Sequence, residues 1–524
     1  MIDELALKIR GLPRLKALIL AFTVWQYVCV LGMAMLGWQE YLIWINLGLL
    51  ASFIILAPSY ESLLLIILSI PFFVALPNPK FDSLSMWRPL FAILFFVWLI
   101  REKKFKYAEI KFLPWDKFLG VFLMVGILVT LVFGKFIGQG FKQVLYWVNI
   151  YIFYLVMINV LKSKQQIFEI IRYILWSLAI IVTLGFTQLI GTFLTDFDTF
   201  WVYWASNITK LYYGQDFASV ALYSNSWFSY LGGRSLRVFS IMPDSQSFAY
   251  ICIFGMCIGT ALTHNVFKYV KKWLWSGIRF AGLGLILSGT RAVWVGMLVP
   301  FAAVSWAYFR NFQKHLAKKF ILPFLIIFIL FAISSLINKG LALMRVSVFK
   351  EDFLLRAKSI YDLNDASNVG RIKIWKESLV FGINHPLGLG FGNFIVSLDP
   401  ESAADYKQTA GEINIRYNLP QRYVSAHSLY LQILVETGFV GFVVFCGFWY
   451  AVIKYFWHFL RHYKNKEDFL VYFVAQGLIM VFWVLGAAFF DITLLNDKVL
   501  MFFLINLGIA GLIVKKYNEI EEIV

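Results

Sequence analysis

The chain has 524 residues, 60% of them hydrophobic and 15% charged, and its mean hydropathy is +0.73. A soluble fold cannot cover that much apolar surface, and many of the apolar runs are long enough to cross about 30 Å of hydrocarbon as a helix. The formal charge of +17 does not indicate nucleic acid, because the basic runs are short and lie beside apolar segments, where they act as topology signals with anionic-lipid contact.

Taken in chain order, the hydropathy predicts an all-α polytopic integral membrane protein with about 12–14 transmembrane helices. The fullest reading places spans near 17–37, 40–57, 61–78, 86–100, 117–134, 143–161, 170–194, 244–263, 273–289, 292–309, 319–337, 427–451, 469–490 and 498–514. The first span follows a basic start without a small-residue cleavage site, so it reads as retained rather than as a signal peptide. These spans divide the chain into an N-terminal transmembrane region (1–337, with an outer loop near 195–243), a large extracytoplasmic loop (338–426) and a C-terminal transmembrane region (427–524).

Lys and Arg mark one alternating set of loops: Lys8, Arg10, Arg14 and Lys16, then REKKFKYAEIK at 101–111, LKSK at 161–164, KYVKK at 268–272, RNFQKHLAKK at 310–319, RHYKNK at 461–466 and KK at 515–516. An even number of spans separates each member from the next, so the positive-inside rule puts both termini in the cytoplasm. Cys29, Cys252, Cys257 and Cys446 fall within apolar segments at no metal-ligand or redox spacing, so no metal, cofactor or disulfide is expected.

Of the six histidines, only His385 and His427 are expected to face away from the basic loops. His427 heads the span VSAHSLYLQILVETGFVGFVVF, where a neutral imidazole is available as a base. Glu436 lies nine residues further on and about half a turn round the helix, so it is a candidate for a buried polar contact or for lining a polar cavity rather than an orienter of His427. Arg291 sits at the apex of SGTRAVW (288–294), where a snorkelling cation and an anion ligand are both open readings.

In SNVGRIKIWKESLVFGINHPLGLGFGNF (367–394), Ile372, Trp375, Leu379 and Ile383 form one face of an amphipathic helix lying on something apolar. Ser367 or Asn368 can cap that helix, which places Arg371 in its first turn. A cation there opposes the helix dipole but suits a bound anion. The following GLGFG reads as a tight or flexible turn, and His385 as a helix-end residue. Arg234, Arg237 and Asp244, in GGRSLRVFSIMPDSQSFAYI (232–251), are candidates to line a polar entrance, with interfacial anchoring as the equal alternative. Asp491 shares that ambiguity.

Three of these blocks, in this order, resemble the O-antigen ligase and polymerase family of bacterial lipid-linked glycan transferases: SGTRAVW, GRIKIWKESLVFGINHPLGLGFGNF and AHSLYLQILVETGFVGFVVF, over about 286–450. Ser428 stands where the family commonly has Asn, and Asp244 and Ser245 depart from a fainter family pattern at 239–249. The resemblance implies a C-type glycosyltransferase-like fold in the bacterial inner membrane. It also implies metal-independent transfer of a glycan from undecaprenyl-pyrophosphate to an acceptor hydroxyl in surface polysaccharide assembly, with inversion at the anomeric carbon. By resemblance, Arg291 and Arg371 hold the pyrophosphate and His427 activates the acceptor. Partners are then the lipid-linked glycan, an acceptor glycolipid or glycan, and membrane lipid, with no nucleic acid. A ligase-type activity leads; a polymerase of the same family and a polysaccharide-unit transporter or flippase are the alternatives. A transporter predicts related halves with ionisable groups at mid-bilayer, and the sequence shows no such halves.

Overall fold

Long apolar runs must satisfy their backbone polar groups internally in lipid, and the helices follow those runs. The computed structural model describes residues 13–77, 84–104, 106, 109–223, 227–229, 235–264, 268–310, 314–343, 353–394 and 425–521. Lys8, Arg10 and Arg234, and residues 344–352 and 395–424 of the expected outer loop, lie outside the described residues.

The helices are α1 (Pro13–Leu36), α2 (Tyr41–Leu56), α3 (Ser59–Ser69), α4 (Trp87–Arg101), α5 (Asp116–Phe133), α6 (Ile137–Val160), α7 (Lys164–Leu194), α8 (Ser245–Leu262) and α9 (Lys268–Leu287). After these come α10 (Arg291–Phe309), α11 (Lys314–Leu343), α12 (Ala366–Asn384), α13 (Leu429–His462), α14 (Phe469–Ala487) and α15 (Asp497–Glu521). Every expected span coincides with a helix. Among the described residues, 10 helices are long and apolar enough to cross a membrane, with α2 and α3 as shorter apolar helices. That is fewer than the 12–14 expected: α2, α3 and α4 are short, and α9 carries Lys268, Lys271, Lys272 and Arg279.

The centre of the bundle is α8, α14 and α15, each with 89% of its apolar window buried. Gln476 of α14 and Asn506 of α15 exchange amide hydrogen bonds at 2.7 and 3.2 Å, joining two buried helices where water is absent. Gly296 and Gly486 let α10 and α14 touch backbone to backbone, since a Cβ on Gly486 would fall 2.7 Å from the Gly296 carbonyl oxygen.

The basic loops share one end of the bundle. Lys16 pairs with Glu169 at 2.5 Å, Lys164 with Asp468 at 3.7 Å and Lys162 with Glu102 at 3.7 Å. Lys515 donates to the Phe112 carbonyl, and His264 bonds the Glu467 carbonyl. At the other end, residues 197–223 form short helices, followed by the only strands among the described residues, Phe228–Ser229 paired with Ser235–Leu236. Tyr212 and Tyr203 tie those short helices to the Pro71 and Ala34 carbonyls.

Candidate functional site

At the end opposite the basic loops, α8, α10, α12, α13 and α15 all begin and α9 and α14 end. Arg291 is the first residue of α10. Its Nη1 donates to the Ser359 carbonyl (3.1 Å), Ser359 Oγ (2.7 Å) and Asp365 Oδ1 (3.2 Å), while Nη2 donates to Asp365 Oδ1 at 3.1 Å. The side chain is 12% exposed. Asp365 also caps α12, accepting from the Ser367 and Asn368 backbone N–H groups. One carboxylate therefore fixes the start of α12 against Arg291.

This corrects two expectations. The cap is Asp365, because its carboxylate reaches both free N–H groups, and Ser367 and Asn368 lie inside the helix. Arg371 is then the sixth helical residue, in the second turn, where the dipole penalty has largely faded.

The apolar face, apart from the half-buried Trp375, does not pack on the protein. Ile372 is 46%, Leu379 48% and Ile383 76% exposed, while Ile374 and Ser378 are buried. With Gly370 and Gly382, they form the inward face at a spacing of four residues. Small residues let α12 pack closely on α13, where a Cβ on Gly382 would fall 3.2 Å from Leu434 Cδ2.

Arg371 and Trp375, one turn apart, meet the turn after α14. The Trp375 and Phe490 rings lie 5.9 Å apart, and the Arg371 charge acts on Asp491. Asp491 is 1% exposed. Its Oδ1 accepts from Tyr250 Oη and from the Thr493 N–H, both at 3.1 Å, and its Oδ2 has no hydrogen-bond partner among the described residues. Burial pushes the carboxyl up to about 7, against the pull of the Thr493 N–H, Tyr250 and Arg371; Asp244 adds a smaller upward push.

His427 is half-buried and has φ of 45°, in the left-handed region that a non-glycine residue adopts only under constraint. The constraint is visible. The Ala426 N–H donates to Gln432 Oε1 at 3.0 Å, and the Leu429 N–H donates to the carbonyls of Ala488 (2.8 Å) and Asp491 (3.0 Å). The turn carrying His427 is thus stitched to the turn carrying Asp491, which faces Arg371. The structure brings Arg291, Arg371 and His427 to one end of the bundle, linked through Asp365 and Asp491.

Asp244 and Arg237 lie alongside. Asp244 caps α8 through the Ser247 N–H and accepts from Asn496 Nδ2 at 3.1 Å. Burial pushes its carboxyl upward, opposed by Ser247, Arg237 and Asn496. Arg237 Nε donates to the Ser288 carbonyl, and Thr290 Oγ1 to the Ser245 carbonyl. Arg356 Nε donates to the Gly289 carbonyl. These bonds lock the starts of α8, α10 and α15 together. Among the described residues, no three His, Cys, Asp or Glu side chains gather as metal ligands.

Glu436 points elsewhere. It is 6% exposed, its carboxylate accepts from Gln432 Nε2 at 2.6 Å, and the Gly392 N–H lies toward it. Its partners favour the buried-contact reading. The glycine-rich turn is tight: Gly388, Gly390 and Gly392 have φ of 90°, 90° and 66°. A Cβ on Gly388 would fall 2.5 Å from the Gly438 nitrogen. His385 ends α12 with its ring exposed, as expected for a helix-end residue.

Asp365 and Arg356 were not legible as site residues. Asp365 carried a signal, an acidic side chain two residues before Ser-Asn at a helix start, but three side chains competed for the cap. Arg356 carried none.

The fold and this end of the bundle define a multi-pass, predominantly helical membrane protein with a bonded Arg291–Asp365 pair, a buried Asp491 and a constrained histidine at one end. Residues 277–446 match the model of a family described as O-antigen ligase. The stretch runs from α9 into α13 and takes in Arg291, Arg371, His427 and Glu436. Over that stretch, about a third of the chain, the sequence is similar to the O-antigen ligase family. No curated protein matches the chain.

Proposed function

We propose that this protein is a glycan transferase of the O-antigen ligase type in the bacterial inner membrane, with the Arg291–Arg371–His427 end facing away from the cytoplasm. One observation carries the reading: the family-matched stretch supplies two arginines and a histidine on elements that begin at the same end of the bundle, opposite the basic loops.

The donor is a glycan on undecaprenyl-pyrophosphate, whose prenyl chain stays in lipid. The acceptor hydroxyl oxygen attacks the anomeric carbon while the carbon–oxygen bond to pyrophosphate breaks. The electron pair leaves with the pyrophosphate, and His427 takes the hydroxyl proton. Attack opposite the leaving group inverts the anomeric centre. Arg371 and Arg291 stabilise the charge developing on the pyrophosphate, which a low-dielectric mouth strengthens. Asp365 occupies the Arg291 guanidinium in the free protein and shares it when the pyrophosphate binds. Asp491 balances Arg371 and holds the His427 turn through its carbonyl. The protein's own residues suffice for these steps, with no metal invoked.

The test is made in cells carrying His427→Ala or Arg371→Ala, by separating lipid-linked from surface glycans. A ligase predicts long glycan stranded on its carrier. Single repeats on the surface would instead indicate the polymerase of the same family. An unchanged surface glycan with normal carrier-linked pools would overturn the reading.

A further inference from the structure

We infer that residues 366–394 form a re-entrant element that dips into the outer half of the bilayer, so that the exposed face of α12 rests on lipid acyl chains rather than on water. Three observations converge.

The first is depth. The turn after α12 bonds α13 well below its start: the Leu389 N–H donates to the Val435 carbonyl at 2.9 Å, Gly390 N–H to Glu436 at 2.8 Å, and Phe439 N–H to Pro386 at 2.8 Å. Those contacts lie six to ten residues from Leu429, about 9–15 Å along the helix. On the other side, the Phe391 ring packs where a Cβ on Gly126 would stand, seven residues, or about 10 Å, from the end of α5. Asn393 then climbs back to that end, accepting from the Phe136 N–H at 2.7 Å.

The second is saturation of the backbone. The Gly388 N–H bonds the His385 carbonyl, the Phe391 N–H bonds Thr130 Oγ1, and the Asn393 N–H bonds the Gly390 carbonyl, while the Gly392 N–H lies toward the Glu436 carboxylate. With Leu389 and Gly390, the N–H groups of 388 to 391 and of 393 all have hydrogen-bond partners in the protein. A surface loop can leave such groups to water, whereas irregular backbone at membrane depth must be satisfied by protein. The break in α13 at Gly438, with φ of 67° and ψ of −173°, frees the carbonyls that receive this turn.

The third is the outward face. Val380, Ile383 and Leu387 are 50%, 76% and 55% exposed. Through the Phe439–Pro386 bond they continue the exposed face of α13, where Phe439, Val440 and Val443 are 64%, 53% and 51% exposed within a membrane-spanning helix. Exposed Lys373 and Lys376 sit nearer the start of α12, placed to reach anionic headgroups while their stems stay in lipid. The element thereby holds Arg371 and Trp375 at headgroup level. This inference needs the span assignment but not the transferase reading, and it can fail alone.

The test uses the full chain with Cys446→Ser, since Cys446 is the exposed cysteine among the described residues. Single reporters Leu379→Cys, Ile383→Cys and, as an aqueous control, Tyr361→Cys (Tyr361 is 84% exposed) are labelled with a polarity-sensitive fluorophore. Each is reconstituted in phosphatidylcholine–phosphatidylglycerol vesicles. A nitroxide on the upper acyl chain should quench the 379 and 383 reporters several-fold more than the 361 reporter. A membrane-impermeant maleimide added to intact vesicles should modify the accessible 361 sites quickly and the 383 site slowly. Quenching at 379 and 383 no greater than at 361, with equally fast maleimide reaction, would overturn the insertion. A label-free check is Ile383→Lys, which should preserve expression yet weaken retention of the element, seen as faster proteolysis between α12 and α13; unchanged proteolysis would count against it.

Discussion

The two ends of the bundle use charge in opposite ways. At the basic end cations are numerous, and the lysines of two pairs are open to solvent, Lys16 at 57% and Lys162 at 64% exposed, while their partners Glu169 and Glu102 are 10% and 27% exposed. At the other end Lys373 and Lys376 are exposed, but one group of charges is enclosed: Arg291 is 12% exposed, Arg356 9% and Asp491 1%. Water screens the first group, so it reports orientation and adds little to stability. The second group is held in low dielectric, where each charge must be matched, and where charge can be aimed at a reaction. Enclosure and bonding, not the count of cations, set the proposed site apart.

Substitutions that separate the ends should sharpen this contrast. The largest effect is expected from His427→Ala, a loss of transfer of about 10²–10⁴-fold, as for removal of a general base, measured as initial rate with saturating donor. Arg371→Ala should follow, at about 10²-fold or more. Arg371→Lys should recover only part of that, because a point charge replaces a fork. A rate for Arg371→Ala equal to that of the wild type would remove the contrast.

Gly388→Ala strikes the scaffold instead. Positive φ alone costs about 1–3 kcal/mol, and the added Cβ would meet Gly438 and Glu436. A clear fall in melting temperature in detergent is expected.

Asp491→Asn tests burial through pH. The folded carboxyl is raised from 3.8 to about 7. Its contribution is therefore fully present below the unfolded value and is lost as pH rises through about 7. The wild type should lose stability across that window, and the variant should show a flatter profile. The smallest effect belongs to the basic end: Lys164→Ala, which breaks the pair with Asp468, should change stability by about 1 kcal/mol or less and leave transfer unchanged.

How far the sequence went follows the same physics. Apolar runs located a helix at every expected span, since backbone in lipid has few alternatives, but the ends moved: α3 stops at Ser69 rather than 78, and α13 runs on to His462 rather than 451. Arg291 and His427 stood out because a titratable group beside an apolar run is conspicuous. The orientation of α12 did not follow from its apolar spacing. The rule that the apolar stripe faces the core belongs to water; here the stripe formed by Ile372, Leu379 and Ile383 faces outward, and Gly370, Ser378 and Gly382 face the protein. Cap competition hid Asp365. The side-chain partner of Asp491, Tyr250, comes from α8, 241 residues earlier, and no local pattern announces it.

The most direct test of the account is transfer by the purified protein in vesicles, supplied with a polyprenyl-pyrophosphate-linked glycan and a hydroxyl acceptor. The account predicts an inverted glycosidic product from the wild type, and a His427→Ala variant that still binds donor but forms product orders of magnitude more slowly. Product formation at the wild-type rate by folded His427→Ala would contradict it.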